Sequence, residues 1–366
     1  MTSTDQAAKA VRQIIGGVSA FEALYTFAAL KVADYMVPGP RTAADLSHDL
    51  GVSASPLGRI MRYLAGLGVL RRVQVDGVIT DGDMYELTLV GELLITHHPD
   101  SQWPMVIMRG LKPWRDALAD LSTTVRRGAA PMVLEHGGIY GLLQQEPELR
   151  ALFDAAMESG ARQVGSALAS QPELTRGAIK TIVDVAGGTG TMLRAITHAN
   201  PHVKGVLVDL PESAGRAARL FATENLATRV QARAADIFSS PLPAGADAYL
   251  LSRVIHNHPR DRVLDLMRNI AHVMPNHSEL WVIETPLPEQ DRQMGLALDL
   301  DLVMLGLAGG RERTEEEYRA LAKSAGFQFI RRATLPLDMV LMVFTRADLA
   351  RNMARRRRLD TQVVTR

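Results

Sequence analysis

Near the N-terminus the apolar residues recur at helical spacing. Ile14, Ile15, Val18, Phe21, Leu24, Tyr25, Phe27 and Leu30 recur so that each has an apolar neighbour three or four positions away, with small or polar residues between them. That period predicts one long amphipathic helix over about 5–37. Pro38-Gly39-Pro40-Arg41-Thr42 ends it and starts a short helix, because proline and glycine interrupt and threonine caps. A longer helix opens at Ser53-Ala54-Ser55-Pro56 and carries Arg59, Met61, Leu64 and Leu67. The segments 70–75 and 78–89, either side of Asp81-Gly82-Asp83, read as a two-stranded wing. Helix, helix, wing predicts a winged-helix domain over 1–102.

Residues 103–175 return to helical spacing, broken at Pro113, at Ala129-Ala130-Pro131 and at Gly137-Gly138. From Thr181 the pattern becomes short β-branched runs alternating with amphipathic helices. The predicted strands are 181–185, 204–208, 230–234, 247–252, 279–284, 326–333 and 338–345. Such alternation predicts an α/β domain over 176–346, a mainly parallel sheet covered by helices on both faces. Residues 347–366, with Arg355-Arg356-Arg357-Arg358, read as a solvated basic tail.

Composition narrows the chemistry. There are no cysteines among 366 residues, which removes a disulfide framework, a thiolate metal site and a cysteine nucleophile together. A formal net charge of +1 gives no overall attraction for nucleic acid. The expected recognition helix, 54–67, is mostly apolar apart from Arg59 and Arg62, so the winged helix is expected to pair subunits and not to bind DNA. No apolar run is long enough to span a membrane, and the first residues lack a signal-peptide pattern. The expectation is a cytoplasmic protein with no membrane partner. His258, His272 and His277 are too scattered for a metal set, and no metal is expected.

The most informative stretch is Ile182-Val183-Asp184-Val185-Ala186-Gly187-Gly188-Thr189-Gly190. A strand ending in an acid, then a glycine turn and a helix, is the first crossing of a nucleotide-type fold. Leu193 stands where a dinucleotide fingerprint needs its third glycine, which argues against NAD. Asp209 ends the next strand, where a carboxylate grips a ribose. The combination points to a nucleoside without a pyrophosphate, and S-adenosylmethionine is the commonest such cofactor.

These motifs, with Arg59-Ile60-Met61-Arg62-Tyr63-Leu64, Phe153-Asp154-Ala155-Ala156-Met157, Val208-Asp209-Leu210-Pro211, Asp236-Ile237-Phe238, Ile255-His256-Asn257 and Gly310-Arg311-Glu312-Arg313-Thr314, occur in a specific order. In that order the chain resembles the small-molecule O-methyltransferases of the plant caffeate/isoflavone and bacterial antibiotic-pathway types. The resemblance runs from about Ala20 to Thr345. It implies a class I S-adenosylmethionine methyltransferase, Rossmann-like, with an N-terminal winged-helix dimerisation domain and a homodimer. By position it implies that Asp184, Gly187, Gly188 and Gly190 line the cofactor and that Asp209, with Leu210, holds the ribose. Asp236 is expected at the adenine amino group, with Ile237 and Phe238 beside the ring and Ser252 also in contact. His256 matches the catalytic base, and Glu284 and Glu312 match the acids flanking it. Phe153, Met157, Asn257 and Met304 fall at substrate-lining positions.

The family usually follows its base with aspartate and tryptophan, whereas this chain has Asn257 and His258. That aspartate commonly meets a second hydroxyl of the acceptor, so the departure argues against a catechol. The chemistry implied is methyl transfer to a phenolic hydroxyl of an aromatic small molecule in secondary metabolism. A phenol with a pKa of about 10 is mostly neutral at pH 7, and a histidine near 6.5 suits its proton. The alternatives are transfer to nitrogen, or a non-methylating relative (hydroxylase, decarboxylase or pericyclase) that keeps the cofactor pocket.

Overall fold

The computed structural model describes residues 3–73, 82–288 and 295–347. The chain divides into two compact units, Met1–Arg115 with Ala151–Ser159, and Asp116–Arg150 with Gly160–Arg366.

In the first unit the long N-terminal helix is Ser3–Ala29, and it stops short of the expected residue 37. Lys31 takes a left-handed conformation (φ 55°), and the chain resumes as Val32–Met36. The turn lets Phe27, Ala28, Val32, Ala33 and Met36 bury in one core with Leu46, Met61 and Leu64. Asp34 then anchors the far end of the unit, accepting from the Thr96 amide at 2.8 Å. Thr42 and Asp45 form a capping box on the helix Ala43–Leu50, and the helix Ala54–Gly66 follows. Strands β1 (Arg41–Thr42), β2 (Leu70–Arg72) and β3 (Met84–Leu87) make an antiparallel sheet in the order β1-β3-β2. Most of the expected wing hairpin, residues 74–81, lies outside the described residues. On the Ser3–Ala29 helix Val11, Ile14, Ile15 and Val18 are all exposed. An apolar stripe of that kind is a surface that a partner covers.

The second unit holds seven strands: β4 (Thr181–Val185), β5 (Lys204–Asp209), β6 (Val230–Ala234), β7 (Ala248–Ser252), β8 (Glu279–Glu284), β9 (Phe327–Thr334) and β10 (Val340–Arg346). Their order is β6-β5-β4-β7-β8-β10-β9. The first five run parallel, and β10 is antiparallel to both its neighbours. The expected strands are all present, with edges shifted by a residue or two. β7, β8 and β10 are apolar without alternation because helices cover both faces, which leaves no face for polar residues. One core packs Val183, Tyr249, Leu251 and Val282 against the helices Arg260–Val273 and Glu315–Ser324. The other packs Ile182, Leu207, Leu250 and Trp281 against the helices Pro147–Ala169 and Thr191–Ala199. The fold is a Rossmann-like α/β sheet of the methyltransferase type, its order reversing at β4/β7. Ligands of such sheets bind outside the carboxyl ends of the strands at that point.

No helix among the described residues is long and apolar enough to cross a membrane. The basic tail, apart from Ala347, lies outside the described residues.

Candidate active site

At the end of β4, Asp184 is buried and neither of its carboxylate oxygens has a hydrogen-bond partner among the described residues. Burial raises its pKa to about 7, and the nearby Asp209 charge adds to the effect. The chain then turns through Ala186 (φ 58°), Gly188 (φ 62°) and Gly190 (φ 78°) into the helix Thr191–Ala199. A side chain at Gly187 would collide with the Asp184 carboxylate, and one at Gly190 would lie 2.7 Å from the Phe221 ring. At Gly188 the space where a side chain would stand is open. The Gly188 amide donates to Asp209 Oδ2 at 2.8 Å and the Leu210 amide to Oδ1 at 2.7 Å. These bonds hold the Asp209 carboxylate at the mouth of the turn, where burial keeps its pKa above the ordinary value.

This is a cradle for a cationic nucleoside. Backbone approaches a ligand without Cβ interference, and orphaned carboxylate oxygens welcome positive charge. Further along the edge, Asp236 is exposed and accepts from the Phe238 amide at 2.9 Å, which lowers its pKa. Ile237 is buried beside it, and Ser252 ends β7 half-buried.

After β7, Arg253 adopts a left-handed conformation (φ 57°) and a 3₁₀ turn, Ile255–Asn257, carries His256. His256 is buried, with Nδ1 2.7 Å from Glu312 Oε1 and 3.4 Å from Glu284 Oε2. Glu284, the last residue of β8, accepts from the Ile255 amide at 2.8 Å. Burial raises its pKa to about 7 against the opposing pull of His256. Glu312 lies in the segment before the helix Glu315–Ser324. Its amide donates to Asp301 Oδ1 at 2.8 Å, and its Oε2 accepts from Tyr318 at 3.1 Å. Arg313 braces the 3₁₀ turn from behind, donating to Ile255 O at 3.1 Å and His258 O at 3.0 Å.

Both acids therefore meet the same ring nitrogen. A proton on Nδ1 is donated to Glu312 Oε1, with Glu284 Oε2 3.4 Å away, and this leaves Nε2 with its lone pair. His256, Glu284 and Glu312 also place one ligand atom each within 4.8 Å of one another, a spacing compatible with a metal. The 2.7 Å contact is a direct hydrogen bond, and it occupies the nitrogen that a metal would need.

Residues 118–328 match the model of the O-methyltransferase domain, and residues 12–97 match that of the O-methyltransferase dimerisation domain. The chain belongs to the O-methyltransferase family. It is 31% identical to the phenazine O-methyltransferase PhzM of Lysobacter antibioticus over 86% of this chain and 89% of that one. It is 32% identical to the aclacinomycin 10-hydroxylase RdmB of Streptomyces purpurascens, over 93% of this chain and 91% of the other. The crystal structure of CalO1, a methyltransferase in calicheamicin biosynthesis with S-adenosylhomocysteine bound, superposes with a TM-score of 0.82. It shares 28% identity over 95% of this chain and 100% of that chain. The protein is an S-adenosylmethionine-dependent O-methyltransferase, and the cradle at β4 and β5 fits that cofactor. The dimerisation domain supports a homodimer.

The second unit gathers most of the expected residues at one edge. Met304 lies half-buried on the helix Leu296–Leu307, one turn from Asp301. Phe153 and Met157 belong to the first unit, where Phe153 stacks on Trp114 at 6.3 Å. The His258 ring meets the edge of Phe238 at 4.9 Å, and burial with nearby Arg262 lowers its pKa to about 4. Two further contributors carried no periodic signal, Arg313 and Tyr318, while Asp301, which accepts from the Glu312 amide, matches the acid that the family places before Met304. Arg313 adjoins Glu312 in sequence and was nearest to being found. Tyr318 sits one helical turn beyond the Thr314 cap, a spacing that speaks of packing alone.

Proposed function

We propose that this enzyme methylates a phenolic hydroxyl of an aromatic small molecule in secondary metabolism, with His256 as general base. One observation carries the reading: Glu312 and Glu284 both address His256 Nδ1, so Nε2 is the ring's proton acceptor. Bound S-adenosylmethionine supplies a methyl group already activated on a sulfonium. The chain's work is to hold the acceptor oxygen in line with that methyl and to take its proton. Orientation of this kind is worth about 7–11 kcal/mol in well-placed systems. The phenolic proton passes to Nε2 as the new C–O bond forms and the sulfonium becomes a neutral thioether. The imidazolium is stabilised by Glu312, held in place by Tyr318 and Asp301.

On this reading Asp184, Gly187, Gly188, Gly190, Asp209, Leu210, Asp236, Ile237, Phe238 and Ser252 bind the cofactor. Asn257 and Met304 are the acceptor-lining residues of the second unit, and Phe153 and Met157 are the candidates that the resemblance names in the first. The His256→Ala variant tests the base. Turnover with a phenolic acceptor should fall by ~10²–10⁴ while affinity for S-adenosylmethionine stays within about twofold. Unchanged turnover would place the base elsewhere.

A second reading follows from the likeness to the aclacinomycin 10-hydroxylase RdmB, which matches over 93% of this chain. Under it the cofactor binds and no methyl is transferred. Methylated product in the assay described above rejects it.

A further inference from the structure

Beside the 3₁₀ turn that carries His256, the second unit has a cleft of about 420 Å³ that no step of methyl transfer uses. That volume lies in the range of small-molecule sites. Pro259, Ala320 and Leu321 give it apolar walls, and Arg260, Arg311, Arg313 and Glu317 give it charge. Three guanidiniums thus meet one carboxylate, and Arg311 already donates to Glu317 Oε1 at 2.7 Å. Two cations remain. Arg260 opens the helix Arg260–Val273 and is exposed, and its side chain forms no hydrogen bond or ion pair among the described residues. Arg313 is buried. The carbonyls of Ile255 (3.1 Å), Arg311 (3.4 Å) and His258 (3.0 Å) take three of its N–H groups. Its Nε–H and one Nη2–H have no acceptor among the described residues. Glu312, next in sequence, turns its oxygens to His256 and Tyr318. Arg313 is therefore a buried cation held by neutral carbonyls, with donors left open at a cleft. Such a group is matched by a carboxylate, whose two oxygens fit the planar fork.

We propose that this cleft binds a small organic carboxylate with a compact aliphatic body, its oxygens bridging Arg313 and Arg260 and its body resting on Pro259, Ala320 and Leu321. The site shares no residue with the cofactor cradle, and it does not depend on what the enzyme methylates. Its role follows from its walls. The Arg311 amide donates to the His256 carbonyl at 2.9 Å, and Arg313 holds the carbonyls of Ile255 and His258 on either side. A carboxylate that joins Arg313 to Arg260 ties this loop to the start of the helix Arg260–Val273. The turn between them, which positions the base, is stiffened.

The test compares cyclohexanecarboxylate with cyclohexanecarboxamide, probes of one body that differ in charge. Both are titrated by calorimetry into the full-length protein saturated with S-adenosylhomocysteine, which keeps them out of the cofactor cradle. The carboxylate should bind with a Kd of roughly millimolar order, about tenfold tighter than the amide. Arg260→Ala, at an exposed position outside the catalytic machinery, should weaken the carboxylate about fivefold. Arg260→Lys keeps the charge and should stay within about threefold of the wild type. Hydrogen exchange at the amides of 255–258 should slow when the carboxylate is bound and stay unchanged with the amide. Equal affinity for the two probes overturns the proposal, as does carboxylate binding that Arg260→Ala leaves intact. Exchange that slows elsewhere and not at 255–258 places the ligand in another cleft and overturns it too.

Discussion

Tyr318 donates to the oxygen of Glu312 that His256 does not use, 3.1 Å away on the far side of the carboxylate. The tyrosine hydroxyl steadies the acid, and the acid steadies the base. Tyr318→Phe removes the hydroxyl and keeps the packing of a side chain that is almost wholly buried. Turnover should fall by about 10–100-fold, as for loss of one hydrogen bond to a charged group. An unchanged kcat in Tyr318→Phe would assign the tyrosine a packing role alone.

Glu284 gives the fold a pH signature. Its ordinary value is 4.5 and burial raises it to about 7. The native state therefore binds a proton that the unfolded chain has released between those two pH values. Stability is fully present below about 4.5 and is lost as pH rises to about 7, with a slope of up to about 1.4 kcal/mol per pH unit. Glu284→Gln is neutral throughout and keeps the contact with the Ile255 amide. Its melting temperature should match the wild type near pH 4.5 and exceed it by pH 8. Parallel curves across that range would mean that Glu284 titrates normally.

Asp184 should couple cofactor charge to protons. With a pKa raised to about 7, it is partly protonated at neutral pH, and a cation drawn to its unpartnered oxygens favours the ionised form. Binding S-adenosylmethionine near pH 6.5 should release protons. Calorimetry in buffers of different ionisation enthalpy reads that release directly. The neutral S-adenosylhomocysteine should release fewer. In Asp184→Asn the difference between the two ligands should disappear, and S-adenosylmethionine should bind about 10–100-fold more weakly. Equal proton release by both ligands would disprove the coupling.

Gly310 marks where backbone meets backbone. A Cβ there would collide with the His256 carbonyl, the same oxygen that accepts from the Arg311 amide at 2.9 Å. Gly310→Ala must displace the 3₁₀ turn that carries the base. It should cost about 1–3 kcal/mol of stability and at least tenfold in turnover. Normal turnover in the alanine variant would show that the turn yields without moving the imidazole.

The sequence made the sheet legible because each strand is a short β-branched run between turn signals. It also made His256, Glu284 and Glu312 legible, but through order and spacing and not through any local rule. Other features left no trace in periodicity. The break at Lys31 depends on burial of residues on both sides of it, and no proline or glycine marks the site. The antiparallel entry of β10 between β8 and β9 is a pairing choice that hydrophobic pattern does not encode. Tyr318 is a single aromatic residue on a helix, where one side chain near a polar group looks the same as one in a core.

Strand β10 closes the sheet between two strands that precede it in the chain, and Val340 pairs opposite Glu284. Until that strand emerges during synthesis, the β8 edge that ends in Glu284 has no partner. The centre cannot assemble vectorially as β4, β5 and β7 appear, because Glu284 gains its dry surroundings only when β10 pairs beside it.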